Sequence, residues 1–148
     1  RQLAIIEAFA ADARLAGGRF LCGGKRREGA GYFYEPTVVA DLGDGTRLVD
    51  EEPFGPILPV IRYSDIDEVI ARANANPQGL GGSVWSADGA RAAALAMRLE
   101  CGTVWVNEHG VLQPDAPFGG VKQSGIGVEF GQHGLAEYTS IQTVKIMK

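Results

Sequence analysis

Two adjacent carboxylates and an aromatic ring stand on a short proline-bounded segment, EEPFGP, at residues 51–56. The two prolines disfavour both helix and regular strand, because proline lacks a backbone N–H and restricts the residue before it. A carboxylate can accept hydrogen bonds from a pair of hydroxyl groups, and an aromatic face can pack a flat ring. Glu51, Glu52 and Phe54 are therefore candidate ligand-binding residues. The competing interpretation is a solvated acidic turn whose ring points into the core.

The side chains that could act as nucleophiles or soft metal ligands are Cys22, Cys101, His109 and His133. Nucleophilic catalysis requires a thiol or hydroxyl beside an activating base, and no spacing ties either histidine to a thiol. Neither histidine has a second ligand at metal-binding spacing in a regular element. We interpret the cysteines as two reduced, packed thiols and the histidines as surface or loop residues. We therefore assign no catalytic residue within this chain and no metal site.

A glycine-rich stretch at residues 119–134 invites comparison with phosphate-binding loops. The P-loop motif, G-x-x-x-x-G-K-[ST], requires a lysine and then a serine or threonine directly after its second glycine. Here Gly125 takes the place of the second glycine, and Ile126 follows it. The run GIGVEFG is one residue longer than the dinucleotide fingerprint and follows a loop instead of a strand. A self-contained nucleotide site is therefore disfavoured.

The composition bounds the class of protein and its partners. The chain has 148 residues, of which 45% are hydrophobic and 22% charged, as is typical of a globular domain with a core. A net charge of -4 disfavours nucleic acid and anionic membranes as partners. No run approaches the roughly 20 apolar residues of a membrane helix, and no signal peptide is apparent, so we expect a cytoplasmic protein. The sequence begins at Arg1 inside a helical pattern, which suggests a fragment.

Hydrophobic periodicity predicts an alternation of helices and strands. We predict a helix over residues 2–16, helices beginning after Asp65 and Asp88, and strands within residues 19–26, 32–42, 57–63, 80–86 and 101–107. Strand, helix, strand, helix and strand in succession favour crossover units on a parallel sheet. We therefore expect an α/β fold, a mostly parallel sheet with flanking helices, in one structural unit.

The segment after residue 107 differs from the rest. Its glycines predict a long loop over residues 108–134, with one helical turn before Tyr138, and long loops in compact domains are usually functional. Residues 139–148 have the pattern of a strand with no neighbouring segment to pair with. Such a strand needs an edge from elsewhere.

Four segments, in this order and spacing, resemble the C-terminal part of the NAD(P)-dependent aldehyde dehydrogenase family. They read EEPFGPILPVIRYSDIDEVIARANANPQGLGGSVWS, LECGTVWVNEHG, PFGGVKQSGIGVEFGQHGL and YTSIQTVKIMK. The resemblance covers essentially the whole chain. It implies NAD or NADP as the cofactor of the parent protein and an aldehyde as its substrate.

The resemblance also implies roles for individual residues. The second glutamate of the E-E-x-F-G-P motif, Glu52, would bind the hydroxyls of the nicotinamide ribose, and Phe54 would pack near the nicotinamide ring. The loop before P-F-G-G lines the aldehyde entrance in relatives, so Leu112 and Phe118 are candidate substrate-binding residues, with His109 nearby. By the same resemblance, residues 1–138 would belong to the catalytic domain. Residues 139–148 would form an oligomerisation strand and make the protein a homo-oligomer.

One departure from the family bears on activity. Relatives attack the aldehyde with a cysteine thiolate, transfer a hydride to the nicotinamide and hydrolyse the thioester with water activated by a glutamate. Both residues, and the Rossmann-type domain, lie upstream of the matched region in the family. The chain alone should therefore be inactive. The alternative functions are a non-catalytic scaffold or interaction module derived from this fold and a self-contained nucleotide-binding protein.

Overall fold

The computed structural model describes residues 1–147, and these form two compact units: Arg1–Ser64, and the described residues from Asp65 onward. The sequence favours a single unit, so this division differs from the expectation. The first unit contains α1 (Gln2–Leu15), β1 (Arg19–Cys22), β2 (Thr37–Ala40), α2 (Arg47–Asp50) and β3 (Ile57–Val60).

A three-stranded sheet organises the first unit, in the order β1-β2-β3. Strand β1 runs antiparallel to β2, and β3 runs parallel to it, with Val39 opposite Pro59. Strand β3 lies at the edge of this order, where Pro59 is tolerated because it has no backbone N–H to donate to a further strand.

The core of the first unit lies between α1 and this sheet. Its buried residues come from the helix stripe, the central strand and the segments that follow: Ile6, Phe9, Ala10, Ala13, Val39, Leu42, Leu48 and Ile57. The helix predicted over residues 2–16 is confirmed as α1, on which Ile6, Ala10 and Ala13 are buried. Burying a side chain of the size of Ile6 or Leu48 contributes about 1.5–3 kcal/mol, so α1 is held mainly by packing.

The second unit begins with α3 (Ile66–Ala75), β4 (Gln78–Gly79), β5 (Gly81–Val84), α4 (Gly89–Ala96) and β6 (Thr103–Val106). The helices predicted to begin after Asp65 and Asp88 are confirmed as α3 and α4. Asp65 accepts hydrogen bonds from two backbone N–H groups of the first turn of α3, and Asp88 accepts one from the N–H of Arg91. Each cap is worth roughly 1 kcal/mol.

Strands β5 and β6 pair in parallel and are connected through α4, as the crossover prediction required. The α/β class is therefore confirmed. The prediction that β3 joins these strands in one sheet was wrong, because β3 completes its ladder with β2. That pairing depends on contacts distant in sequence, which periodicity does not report.

The predicted long loop contains further short elements. They are β7 (Phe118–Gly119), β8 (Val121–Lys122), β9 (Val128–Glu129) and α5 (Gly131–Ala136). Strand β8 pairs antiparallel with β4, and β7 pairs antiparallel with β9. The helical turn predicted before Tyr138 is confirmed as α5.

The C-terminal segment is described as far as residue 147, and Lys148 lies outside the described residues. Residues 139–147 have no helix or strand assigned and are exposed, with Ile141 at 98%. A strand needs a neighbour for its backbone hydrogen bonds. The oligomerisation strand at 139–148, and the boundary after residue 138, therefore stay predictions. In the part of the chain described, no helix has the length and apolar character required to cross a membrane.

Candidate functional site

The corner at residues 51–56 is fixed to α1 through its backbone. Gln2 Nε2 donates to the carbonyl of Phe54 at 2.7 Å. The N–H of Gly55 donates to the carbonyl of Pro53 at 2.6 Å, which makes a tight turn. A Cβ at Gly55 would lie 2.5 Å from Cγ1 of Ile6, so only glycine lets the corner pack this closely on the helix. The corner is thus anchored through its backbone, and these contacts do not involve the side chains of its residues.

The two adjacent carboxylates have different surroundings. Glu51 accepts two hydrogen bonds from the Arg47 guanidinium, at 2.8 Å and 3.0 Å. These hydrogen bonds hold the pKa of the Glu51 carboxyl below its usual range. The same guanidinium lies over the Phe9 ring, 4.7 Å from its centroid. Glu52 makes no hydrogen bond or ion pair with any residue in the described range 1–147, so its carboxylate oxygens are available to a ligand.

The i,i+4 spacing of Arg47 and Glu51 could have revealed this division from sequence, since residues four apart on a helix face each other. From their residue type and position alone the two acids are equivalent candidates, and only the family resemblance separates them.

The ring of Phe54 is 72% exposed. The interpretation that this ring points into the core was therefore wrong. The sharp turn directs the chain so that Ile57, at the start of β3, fills the core position instead. The corner combines an unpartnered carboxylate with an exposed aromatic ring two residues away. Such a pair can accept a diol and cover a flat ring.

An open cleft of about 180 Å³ lies in the second unit, between β6 and the loop that precedes β7. Its lining residues are mostly apolar or aromatic: Thr103, Trp105, Glu108, Val111, Leu112, Gln113, Ala116, Pro117 and Phe118. Leu112 and Phe118, the two predicted substrate-binding residues, thus lie in the wall of one cleft. Their role toward a substrate stays a prediction.

The ring of Trp105 is held in place from several sides. Its indole Nε1 donates to the carbonyl of Val111 at 2.8 Å, which ties β6 to the loop. A Cβ at Gly81 on the neighbouring strand β5 would lie 2.7 Å from Cζ3 of this ring. The His109 ring makes an edge-on contact with it, with centroids 5.2 Å apart. The cleft therefore has one rigid aromatic wall.

The sequence reasoning missed Thr103, Trp105 and Glu108 as cleft residues. A signal existed for the first two, because residues two apart on a strand face the same side. No local sequence pattern indicates that Glu108 lines the cleft, because the cleft exists only in the folded protein, where the loop packs against β6.

The cysteines are both free, as predicted. The prediction that both are packed was wrong for Cys22, which is exposed, because it lies beyond an irregularity in the pairing of β1 with β2. Cys101 is partly buried, and burial raises the pKa of its thiol. A raised pKa favours the protonated thiol, which is a poor nucleophile. The described residues contain no group of three or more side chains able to hold a metal ion.

Sequence and structure comparisons define the class of protein. Over residues 1–144 the sequence matches the aldehyde dehydrogenase family. It is 41% identical over 145 residues to a betaine aldehyde dehydrogenase from Cereibacter sphaeroides, with 98% of this chain and 30% of that protein covered. It is 45% identical over 130 residues to retinaldehyde dehydrogenase 3 from Homo sapiens, with 88% of this chain and 25% of that protein covered. The chain belongs to the aldehyde dehydrogenase family.

Solved structures agree with this assignment. An aldehyde dehydrogenase variant from Bacillus cereus has a TM-score of 0.92 and 38% identity, with 97% of this chain and 29% of that chain covered. A betaine aldehyde dehydrogenase from Staphylococcus aureus in complex with NAD+ has a TM-score of 0.86 and 39% identity, with 93% and 28% covered. This chain therefore spans between 25% and 30% of the length of these relatives.

Proposed function

We propose that this chain is the C-terminal part of an enzyme that oxidises an aldehyde to a carboxylic acid with NAD or NADP as electron acceptor. In this proposal the chain supplies the contacts to the nicotinamide half of the cofactor and one wall of the aldehyde site. The observation that supports the proposal is an anchored corner that carries the free carboxylate of Glu52 and, two residues along the chain, the exposed ring of Phe54. Family membership supports the same conclusion.

Glu52 would accept hydrogen bonds from the two hydroxyls of the nicotinamide ribose. A carboxylate has enough lone pairs for both donors at once, and hydrogen bonds to a charged group are worth about 1.5–3 kcal/mol each. Since the backbone of the corner is already fixed to α1, little ordering remains to be done when the cofactor binds. The result is a fixed position for the ribose.

Phe54 would cover the nicotinamide ring and keep water away from it. When bound, NAD or NADP would supply the hydride acceptor for oxidation of the aldehyde. Leu112 and Phe118 would contact the organic group of the aldehyde in the cleft. The nucleophilic cysteine and the general-base glutamate would come from the rest of the protein, and the raised pKa of Cys101 agrees with its having no part in the attack.

The remaining parts of the proposal concern the assembly. Residues 139–148 would pair with an edge of a second subunit and make the protein a homo-oligomer. Exposed apolar side chains in this segment, among them Ile141 and Ile146, are the kind of surface that such pairing would cover. We place the protein in the cytoplasm.

The experiment that tests the proposal compares two variants of the full-length protein, Glu52→Gln and Glu51→Gln. The first should reduce the rate of NAD(P)H formation by roughly 10- to 150-fold, the equivalent of one charged hydrogen bond. The second should retain activity within about two-fold, because Arg47 already occupies that carboxylate. NAD(P)H absorbance at saturating aldehyde is the readout.

Two results would contradict the proposal. One is equal loss in both variants, which would assign the effect to the fold of the corner. The other is an unmodified full-length protein that reduces neither NAD nor NADP with any member of a broad aldehyde panel.

A further inference from the structure

The only charged side chain in the lining of the cleft of the second unit is negative. Among its lining residues the single charged side chain is Glu108, and the cleft-forming segment 103–118 contains no lysine or arginine. Within the described range, Glu108 has no hydrogen-bond or ion-pair partner. The wall of this open cleft thus includes an exposed carboxylate that no described residue pairs with.

The backbone that carries Glu108 is held at both ends. On one side the Asn107 side chain makes two hydrogen bonds with the backbone of Ser86, accepting from its N–H at 2.8 Å and donating to its carbonyl at 2.9 Å. On the other side the indole of Trp105 donates to Val111. Glu108 lies on the turn between these two anchors. The backbone at Glu108 is therefore fixed, which lowers the ordering needed when a ligand binds, while the side chain itself is exposed.

Aromatic rings complete the surroundings. Trp105 and Phe118 line the same cleft as Glu108. Aromatic faces attract cations, and tryptophan does so most strongly. A carboxylate adds a full opposite charge. Apolar walls, two rings and one acid together form an environment suited to an organic cation, and especially to an alkylated ammonium group whose methyl groups need apolar contact.

We propose that Glu108 is a specificity-determining residue that makes the cleft select aldehydes bearing an ammonium group. The inference rests on the proposed function of the cleft as part of the aldehyde site, and it names the substrate class for that site. An aldehyde with a carboxylate or phosphate at the corresponding position is disfavoured, because like charges would meet. The expected order of preference is cationic, then neutral, then anionic.

The test uses two aldehydes of nearly the same shape, trimethylammonioacetaldehyde and 3,3-dimethylbutanal, which differ in the charge of the central atom. The ratio of their kcat/KM values is measured for the full-length protein, for Glu108→Gln and for Asp115→Asn. Asp115 is the matched control because it is an acid in the same segment but does not line the cleft. Aldehyde hydration is the same for every variant and cancels in the comparison.

Glu108→Gln should lower the ratio of cationic to neutral substrate by roughly 5- to 20-fold, as expected for one partly solvated ion pair assisted by aromatic rings. Asp115→Asn should leave the ratio unchanged. Added salt should lower the ratio of the unmodified protein and not that of Glu108→Gln. A ratio that Glu108→Gln leaves unchanged, or an unmodified protein that prefers the neutral aldehyde, overturns the inference while the proposed function stands.

A measurement without turnover separates the two proposals. Choline and its neutral counterpart 3,3-dimethylbutan-1-ol are added separately to the full-length protein, and the midpoint of thermal unfolding is followed. A larger rise with choline that Glu108→Gln abolishes supports cation selection even if no aldehyde is oxidised. An equal response to both alcohols overturns it.

Discussion

Replacing Gly102 by alanine should force apart two backbones that touch in the second unit. A Cβ at this position would lie 1.7 Å from the carbonyl oxygen of Gly119 and 2.8 Å from its carbon. Contacts of a real Cβ essentially never fall under 3.0 Å. The added Cβ and the Gly119 oxygen, 1.7 Å apart, would therefore have to move about 1.3 Å away from each other. Backbone atoms cannot rotate away as a side chain does. The strain must therefore move β6, β7 or both.

The cost follows from the contacts that would be disturbed. Overpacking of this kind costs about 1–3 kcal/mol. The backbone hydrogen bond from Gly102 to Gly79, at 3.0 Å, would be stretched as well, and losing one such bond costs about 1 kcal/mol. Together these give about 2–4 kcal/mol. With a urea m-value of about 2 kcal/mol/M, the unfolding midpoint should fall by roughly 1–2 M.

The assay is urea unfolding of the chain followed by far-ultraviolet circular dichroism. Gly127→Ala is the matched control, because it makes the same substitution in the same unit at a glycine with nothing within 4 Å of an added Cβ. The control should change the free energy of unfolding by less than about 0.5 kcal/mol. The reasoning is refuted if Gly102→Ala unfolds at the same urea concentration as the unmodified chain, or if both variants are destabilised equally.

The remaining predictions concern two charged contacts. Arg47→Met should destabilise the first unit at neutral pH and progressively less in acid. The folded pKa of Glu51 lies below its ordinary value of 4.5, so the pair stabilises the fold above pH 4.5 and this contribution is lost as the pH falls through the folded pKa. Urea midpoints of both proteins between pH 3 and 7 check this, and a constant difference would contradict it. Lys122→Met should cost about 1.5–3 kcal/mol, because the ammonium donates to two carbonyls at the end of α3 at 2.5 Å and 3.3 Å. The exposed Lys145→Met is the control in the same denaturation assay, and an equal effect would contradict the prediction.

Local signals predicted much of the fold. The caps at Asp65 and Asp88 and the parallel pair β5 and β6 depend on residues within a few positions of each other, or on one crossover helix. The partner of β3 could not be derived in this way. A strand of four residues is compatible with any exposed edge, and the choice of β2 was made by the burial of Ile57 in the core beneath α1.

In the candidate sites, too, features set by local sequence could be predicted, and features set by contacts distant in sequence could not. The corner could be selected from sequence because proline and glycine fix its backbone locally, and the motif named Glu52 and Phe54. The exposure of Phe54 could not be derived from the sequence, because an aromatic side chain next to a strand can be either buried in the core or exposed. Glu108 was not selected at all, because it enters the cleft through a loop closure that depends on Asn107 and Trp105.

The hydrogen bond that fixes the indole of Trp105 has an optical consequence. The chain has two tryptophans, and Trp105 lines the cleft whereas Trp85 is 65% exposed. Replacing Trp85 by phenylalanine would leave one emitting indole within this chain, held at constant orientation against the cleft wall. Its emission wavelength and intensity would then respond to whatever displaces solvent from the cleft, so this part of the protein contains its own fluorescent reporter of occupancy.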